Sequence, residues 1–522
     1  MLFYVFLTLA IIAAAYEIYL TAVSNMHMLQ LNTYRNTEQA AWMKNKPGKY
    51  LPNCLLALYG LTFVFFGNSV LYALAILFSL LLIPVNKYYS KPKKKFVVTA
   101  RVKRMFVTEG VLTALIVAGG VVICVFCPQK YVFLLLVESL AFYPMLTMLS
   151  NLINRPLEKS INRWYVNDAK RMLAEASGLE VIGITGSYGK TSVKFYLNTI
   201  MSAFYDVLVT PESFNTPMGV VKTIRTSLKK TDRYFLCEMG ARHVGDIKEL
   251  TDIVHPRHGV ITSIGEQHLE TFHTVENIIH TKFELADALP PDGLLFLNGD
   301  SENIRNNLPD RQFVTYGIGA GNDYYASDVV VTERGTEFTV NVASTGESVR
   351  FSTKLLGEAG VINVTGAIAV ANNFGIPLDK MKLPVRRIEP VPHRLQLINR
   401  GAVTIIDDAY NSNPAGCRAA LNALAMCGGH KILLTPGMVE LGIEQDRLNK
   451  AFGSQAAGVC DHIILVGEKQ TRPIAEGALE AGFDEKKLFI ASNLTEAMNF
   501  AMAVKTDARK FILLENDLPD NY

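Results

Sequence analysis

The stretch Gly186-Ser187-Tyr188-Gly189-Lys190-Thr191-Ser192 holds the residue types that bind a polyphosphate. Two glycines let backbone N–H groups approach phosphate oxygens closely, a lysine supplies positive charge, and a threonine hydroxyl is a ligand for Mg²⁺. Val181-Ile182-Gly183-Ile184 reads as a buried strand and the residues after the loop as a helix, the setting a phosphate loop requires. The usual spacing G-x-x-x-x-G-K-[ST] places a glycine at position 184, where Ile184 stands. The loop is therefore a variant, G-x-T-G-S-x-G-K-T, with a nucleoside triphosphate as its expected ligand.

More chemistry-bearing residues follow in order. TPESFNTPMGV carries Asn215, CEMGARHVGDI carries Glu238 at a predicted strand end, and ITSIGEQHLETFHTVENIIHTKFEL carries His268 and, fourteen residues later, Lys282. FLNGDS supplies Asn298 and Asp300, AGVIN supplies Asn363, and LPVRRIEPVPHRLQ supplies Arg394. IIDDAYNSNPAGCRAAL contains Asp408 and Asn411, and TPGMVELG comes after it. In residue type, order and spacing these segments resemble the Mur ligases, which add amino acids or dipeptides to peptidoglycan precursors. The Asp-Asp-Ala-Tyr-Asn-x-Asn-Pro run is similar to that of the MurF branch, the UDP-N-acetylmuramoyl-tripeptide–D-alanyl-D-alanine ligases.

The resemblance implies the roles. ATP contacts fall to Gly186, Ser187, Tyr188, Gly189, Lys190, Thr191, Ser192, Asn298, Asn363, Arg394, Asp408 and Asn411. Mg²⁺ ligation falls to Thr191, Glu238, His268 and a carbamylated Lys282, and catalytic parts to Lys190, Lys282, His268 and Asn215. The chemistry asks for such a set. An amide ligase makes a carboxylate electrophilic by moving the γ-phosphoryl group of ATP onto it, and an amine then displaces phosphate. Two anions must meet in the first step, so Lys190 and bound metal have charge to neutralise.

The resemblance covers about residues 178 to 518 and departs in three places. A hydrophobic segment stands where MurF carries a UDP-sugar-binding domain. The adenine-side motif retains only Asn363. The terminal LLENDLPDNY replaces a Lys-Gly-Ser-bearing segment.

The elements that position these residues divide by composition. Residues 1–150 hold 13 Lys+Arg against 4 Asp+Glu, and the remainder 38 against 44. A mildly acidic body disfavours nucleic acid as a partner. Apolar runs at Leu2–Val23, Leu51–Pro84 (two helices meeting near Phe66–Val70), Phe106–Phe126 and Tyr131–Leu149 predict about five membrane spans. Lys and Arg alternate between the loops so as to place the catalytic domains in the cytoplasm of a multi-pass cell-membrane protein.

The expected fold is an all-α transmembrane bundle (1–150), an amphipathic connecting helix (151–177), an α/β P-loop ATP-binding domain (178–390) and an α/β Rossmann-like C-terminal domain (391–522). In the last, apolar strands at Val403–Ile406, Lys431–Thr435, His462–Val466, Lys487–Ile490 and Phe511–Leu514 alternate with helices. The expected partners are membrane lipid, a lipid-linked or polymer acceptor, other envelope-synthesis membrane proteins, and an amino acid or dipeptide. The leading reading is an ATP- and Mg²⁺-dependent amide ligase of envelope synthesis. A membrane-tethered P-loop kinase or signalling ATPase and a polyglutamate-type ligase stand as alternatives.

Overall fold

The computed structural model describes residues 2–45, 95–126, 130–332, 335–410 and 412–517. Two compact units divide between Arg163 and Trp164. Helices Leu2–Leu31, Asn36–Asn45 and Ala100–Phe126 belong to the first, together with the leading part of Lys130–Glu175.

The predicted transmembrane bundle is overturned: among the described residues no helix is long and apolar enough to cross a membrane. Polar groups interrupt the apolar runs. Helix Leu2–Leu31 carries Glu17, Thr21 and Asn25 on buried positions, and Ala100–Phe126 opens on Arg101, Lys103, Arg104 and a buried Glu109. Several polar groups of the unit find partners inside it. Arg104 Nε pairs with Glu158 Oε1 at 2.7 Å, and Asn151 Nδ2 donates to the Tyr34 carbonyl at 2.9 Å and to Asn36 Oδ1 at 2.7 Å. The multi-pass membrane localisation, its cytoplasmic orientation and the membrane-lipid partner fall with the spans that carried them. The two spans expected within Leu51–Pro84 lie outside the described residues.

Nor does the chain break after Leu149. Lys130–Glu175 is one 46-residue helix that passes through Pro144 and Pro156. Its last turns belong to the second unit, where the Arg225 guanidinium lies 4.3 Å from the Tyr165 ring centroid and bonds Asp168 at 2.7 Å.

The second unit contains two sheets. The first has nine strands in the order β2-β3-β1-β4-β5-β6-β7-β8-β9. They are β1 (Glu180–Thr185), β2 (Val207–Val209), β3 (Tyr234–Glu238), β4 (His258–Ile261), β5 (Leu295–Asn298), β6 (Phe313–Gly317), β7 (Tyr324–Thr332), β8 (Gly335–Val342) and β9 (Ser348–Thr353). Pairing is parallel from β2 to β7 and antiparallel across β7-β8-β9. The sequence shows the difference: Tyr-Phe-Leu-Cys-Glu of β3 is buried throughout, whereas β8 and β9 alternate buried and part-exposed residues.

The second sheet has six strands in the order β10-β11-β15-β12-β13-β14. These are β10 (Gln396–Arg400), β11 (Val403–Asp408), β12 (His430–Thr435), β13 (His462–Val466), β14 (Leu488–Ala491) and β15 (Lys510–Glu515). All pairs are parallel except β10–β11. The alternating strands and helices expected beyond residue 391 are present within a residue or two of their predicted ends. One apolar cluster contains Ile261, Leu269 and Leu285 from the first-sheet region and Ile406, Met438 and Leu441 from the second. That continuous core brings the carboxyl ends of both parallel sheets together, where α/β folds bind ligands.

Candidate active site

Gly189 closes the phosphate loop at φ 86° and caps helix Lys190–Met201. A Cβ there would also lie 2.6 Å from Asn363 Oδ1, so that amide would have to give way. Asn363 thus packs against the loop. The N–H groups of Ser187 and Tyr188 already bond Ser263, to its carbonyl at 2.7 Å and its hydroxyl at 2.8 Å. The donors left for a phosphate are the first N–H groups of the helix, which have no partner within it. Lys190 Nζ folds back on the Gly186 carbonyl at 2.6 Å. Burial lowers its pKa from 10.5 to about 8, against the pull of Glu238 and with the repulsion of Arg394.

Glu238, at the carboxyl end of β3, is the hub. Its Oε1 accepts from Thr191 Oγ1 at 3.1 Å and Asn215 Nδ2 at 3.0 Å, and its Oε2 pairs with Lys194 Nζ at 2.9 Å. Burial opposes its charge, but Lys194 and Lys190 outweigh burial and hold the carboxyl below its usual range. Lys194 was not singled out from the sequence. Its signal was a second lysine one helical turn after Lys190, on the face that must be buried.

Lys282, on helix Val275–Ala288, is 1% exposed. Burial, reinforced by Lys190, holds its pKa well below the ordinary lysine value and so disfavours the charged ammonium. His268 sits at φ 52° before helix Leu269–Phe272, with Nδ1 against Glu440 Oε2. Asn298 ends β5. Its Nδ2 donates to the Thr262 carbonyl at 2.8 Å and its Oδ1 accepts from Asp300 N at 3.0 Å, so the side chain braces the strand ends beneath the loop.

From the second sheet, Asp408 ends β11 in register with Glu515 of β15. Burial raises the Asp408 carboxyl from 3.8 to about 6, with Arg394 and the Leu395 N–H, 3.1 Å away, opposing. Glu515 is raised further by burial and by Asp408; Ser412 Oγ donates to it at 2.7 Å. The Arg394 guanidinium lies 4.2 Å from the Tyr410 ring centroid, and the Tyr410 hydroxyl bonds Ser213 Oγ at 2.5 Å across to the first sheet. Asn413 Nδ2 reaches the Ser187 carbonyl at 3.5 Å. Asn411 lies outside the described residues. Glu515 is a further member that sequence reasoning missed, and Glu440 and Arg242 are members that it left without a role inside TPGMVELG and CEMGARHVGDI. Only strand register and loop contact, neither visible in a linear pattern, bring them in.

The donor set suits a hard cation held jointly with a nucleotide. One anionic carboxylate and one hydroxyl stand 3.1 Å apart at the helix start. Among the described residues no group of three or more His, Cys, Asp or Glu converges to cage a metal alone. Mg²⁺ in such sites takes one or two protein oxygens, with phosphates and water completing the shell.

Comparison with known proteins accords with this arrangement. Residues 184–371 match the Mur ligase middle domain and residues 393–515 the Mur ligase glutamate ligase domain. Over 346 residues the chain is 34% identical to the UDP-N-acetylmuramoyl-tripeptide–D-alanyl-D-alanine ligase of Bacillus subtilis (strain 168), spanning 66% of this chain and 73% of that one. The chain belongs to the Mur ligase family.

As a Mur ligase it is an ATP-dependent enzyme that forms amide bonds, which excludes the kinase and signalling-ATPase alternatives. Solved relatives share the two-sheet body. MurF from Acinetobacter baumannii superposes with a TM-score of 0.62 at 26% identity, covering 68% of this chain and 77% of that one. MurF from Thermotoga maritima in complex with ADP gives 0.61 at 25% identity, covering 68% and 80%. Both coverages leave about a third of this Mur ligase unmatched.

Proposed function

We propose that this Mur ligase works in peptidoglycan synthesis, activating the carboxylate of a muropeptide precursor as an acyl phosphate and joining it to the amine of D-alanyl-D-alanine or a similar dipeptide. The observation that carries the reading is the buried constellation of Lys190, Thr191, Glu238, His268 and Lys282, facing Asp408 and Arg394 of the C-terminal domain. The similarity to D-alanyl-D-alanine ligases supports the choice of amine.

In this reading the helix start and Lys190 hold the β- and γ-phosphates. A carboxylate oxygen of the acceptor attacks the γ-phosphorus and ADP leaves. The amine nitrogen attacks the acyl carbon, inorganic phosphate departs, and the amine gives up a proton. Thr191 and Glu238 would hold Mg²⁺, with His268 and carbamylated Lys282 at a second site; bound Mg²⁺ supplies charge neutralisation on the phosphates. Lys194 and Asn215 keep Glu238 aimed at that task. Asp408 would contact the ribose or the phosphates, and Arg394 would reach the phosphates on closure. A neutral Lys282 amine is the form that adds CO₂; the nitrogen gives up a proton, and an anionic carbamate would stand where a neutral side chain was.

The test is ADP release by the full-length protein with ATP, Mg²⁺ and UDP-linked muropeptide, with D-alanyl-D-alanine, single amino acids or glutamate as the amine. Lipid-linked muropeptide forms a second acceptor arm. Release that requires both acceptor and dipeptide supports the proposal. Release indifferent to the amine overturns it, and preference for glutamate returns the reading to the polyglutamate-type ligase.

A further inference from the structure

Two residues in left-handed backbone conformations meet between the domains: His268 at φ 52° and Glu440 at φ 63°. Neither is glycine, so each conformation costs free energy and persists because its surroundings fix it. His268 follows β4 of the first sheet, and Glu440 follows β12 of the second. Nδ1 of His268 makes a short hydrogen bond with Glu440 Oε2, and Arg242 Nη2 reaches the other oxygen, Oε1, at 3.2 Å. Glu270 N donates to the Glu440 carbonyl at 3.2 Å, and a Cβ on Gly442 would touch the Glu270 backbone at 3.4 Å. Leu269, Met438 and Leu441 lie in one apolar cluster beside this junction. The contact is therefore a built joint. A carboxylate accepting from Nδ1–H fixes the tautomer and turns Nε2 into the free coordinating nitrogen, as carboxylates behind metal-bound histidines do.

We propose that Glu440 is a positioning residue: delivered by the C-terminal domain, it sets the tautomer and aim of His268, and so couples cation binding in the central domain to docking of the C-terminal domain. The inference rests on the reading of His268 as a metal ligand. By reciprocity, metal at His268 favours the docked arrangement as much as docking favours metal. The central domain alone then holds an unaligned histidine, and productive metal and nucleotide binding waits for closure.

Mn²⁺ titration of the full-length protein, followed by electron paramagnetic resonance with a non-hydrolysable ATP analogue present, tests this. Glu440→Ala should weaken the His268-dependent Mn²⁺ site about 10- to 100-fold. Glu440→Gln, whose amide oxygen still accepts from Nδ1–H, should restore most of the loss. Glu440→Asp, which withdraws the carboxylate by one methylene, should weaken binding even if the alanine variant is too unstable to assay. His268→Ala should weaken the same site, and the Glu440→Ala/His268→Ala double variant should bind no worse than His268→Ala. Unchanged Mn²⁺ affinity in Glu440→Ala and Glu440→Asp, with His268→Ala impaired, overturns the positioning role and leaves the ligand reading standing. Unchanged affinity in His268→Ala overturns both.

Discussion

Lys194 Nζ lies 2.9 Å from Glu238 Oε2, and both side chains are almost wholly removed from solvent, at 0% and 1% exposure. Glu238 therefore has a permanent counter-ion on its inner side while Thr191 and Asn215 hold its other oxygen. Removing one member of a buried pair leaves the other charged and alone, which costs about 3–5 kcal/mol. Lys194→Met should lower unfolding free energy by that order in urea titration, and Lys194→Met with Glu238→Gln should recover much of it. A single variant as stable as the parent would show that the pair does not anchor the site.

Lys190 titrates at about 8 because it is buried. A bound polyphosphate favours its charged form, so nucleotide binding above pH 8 should take up close to one proton. Calorimetry in buffers of different ionisation enthalpy reads this directly. The same shift has a stability consequence. The folded value lies below the unfolded 10.5, so the unfolded chain binds more protons between about pH 8 and 10.5, and this group's contribution to stability rises with pH across that window. Lys190→Ala should abolish the proton uptake and reduce ATP turnover by about two to three orders of magnitude.

Lys282→Ala should lose ligation, since no other described residue in that position can become an anion by adding CO₂. Short carboxylic acids should restore part of the activity, and depletion of CO₂ should slow the unaltered enzyme. Amine-dependent ADP release measures all three. Full activity in Lys282→Ala would remove the carbamate from the mechanism.

Asp408 and Glu515 are buried side by side at the ends of adjacent strands. Asp408 is raised to about 6 in the folded protein from 3.8, so the folded state binds more protons between those values and loses this contribution as pH rises from about 4 to 6. The Glu515 carboxyl, raised by its own burial and by Asp408, loses stability in the same direction, and Glu515→Gln removes that titration while Asp408 stays raised by its burial. The variant's melting temperature should fall less than the parent's over that interval. Parallel curves for the two proteins would deny the coupling.

The site was legible wherever function is written in consecutive residues. The loop at 186–192, Glu238 at a strand end, and His268 with Lys282 fourteen positions on are local patterns, and the loop and His268 meet the second sheet through Asn413 and Glu440. The strands of the C-terminal domain were legible for the same reason, since β11, β12, β13 and β15 are short apolar runs between helices. The strand-end position of Asn298 was legible, whereas its bonds to the Thr262 carbonyl and the Asp300 N–H are set by the fold. The N-terminal reading failed differently. Apolar runs alone do not reveal which polar groups interrupt a helix and which partners they find, and Arg104 with Glu158 is a pair 54 residues apart.

By itself the sequence determined the class of chemistry, ATP-dependent amide ligation, and two α/β domains to carry it, with the carbamate role of Lys282 implied by the family resemblance. Only the tertiary structure decided what aims the charged groups of the site. Lys194 behind Glu238, Glu515 beside Asp408 and Glu440 behind His268 are set by strand register and domain packing, because the electrostatic partner of a buried charge is whatever the fold brings within about 3 Å, at any distance along the chain.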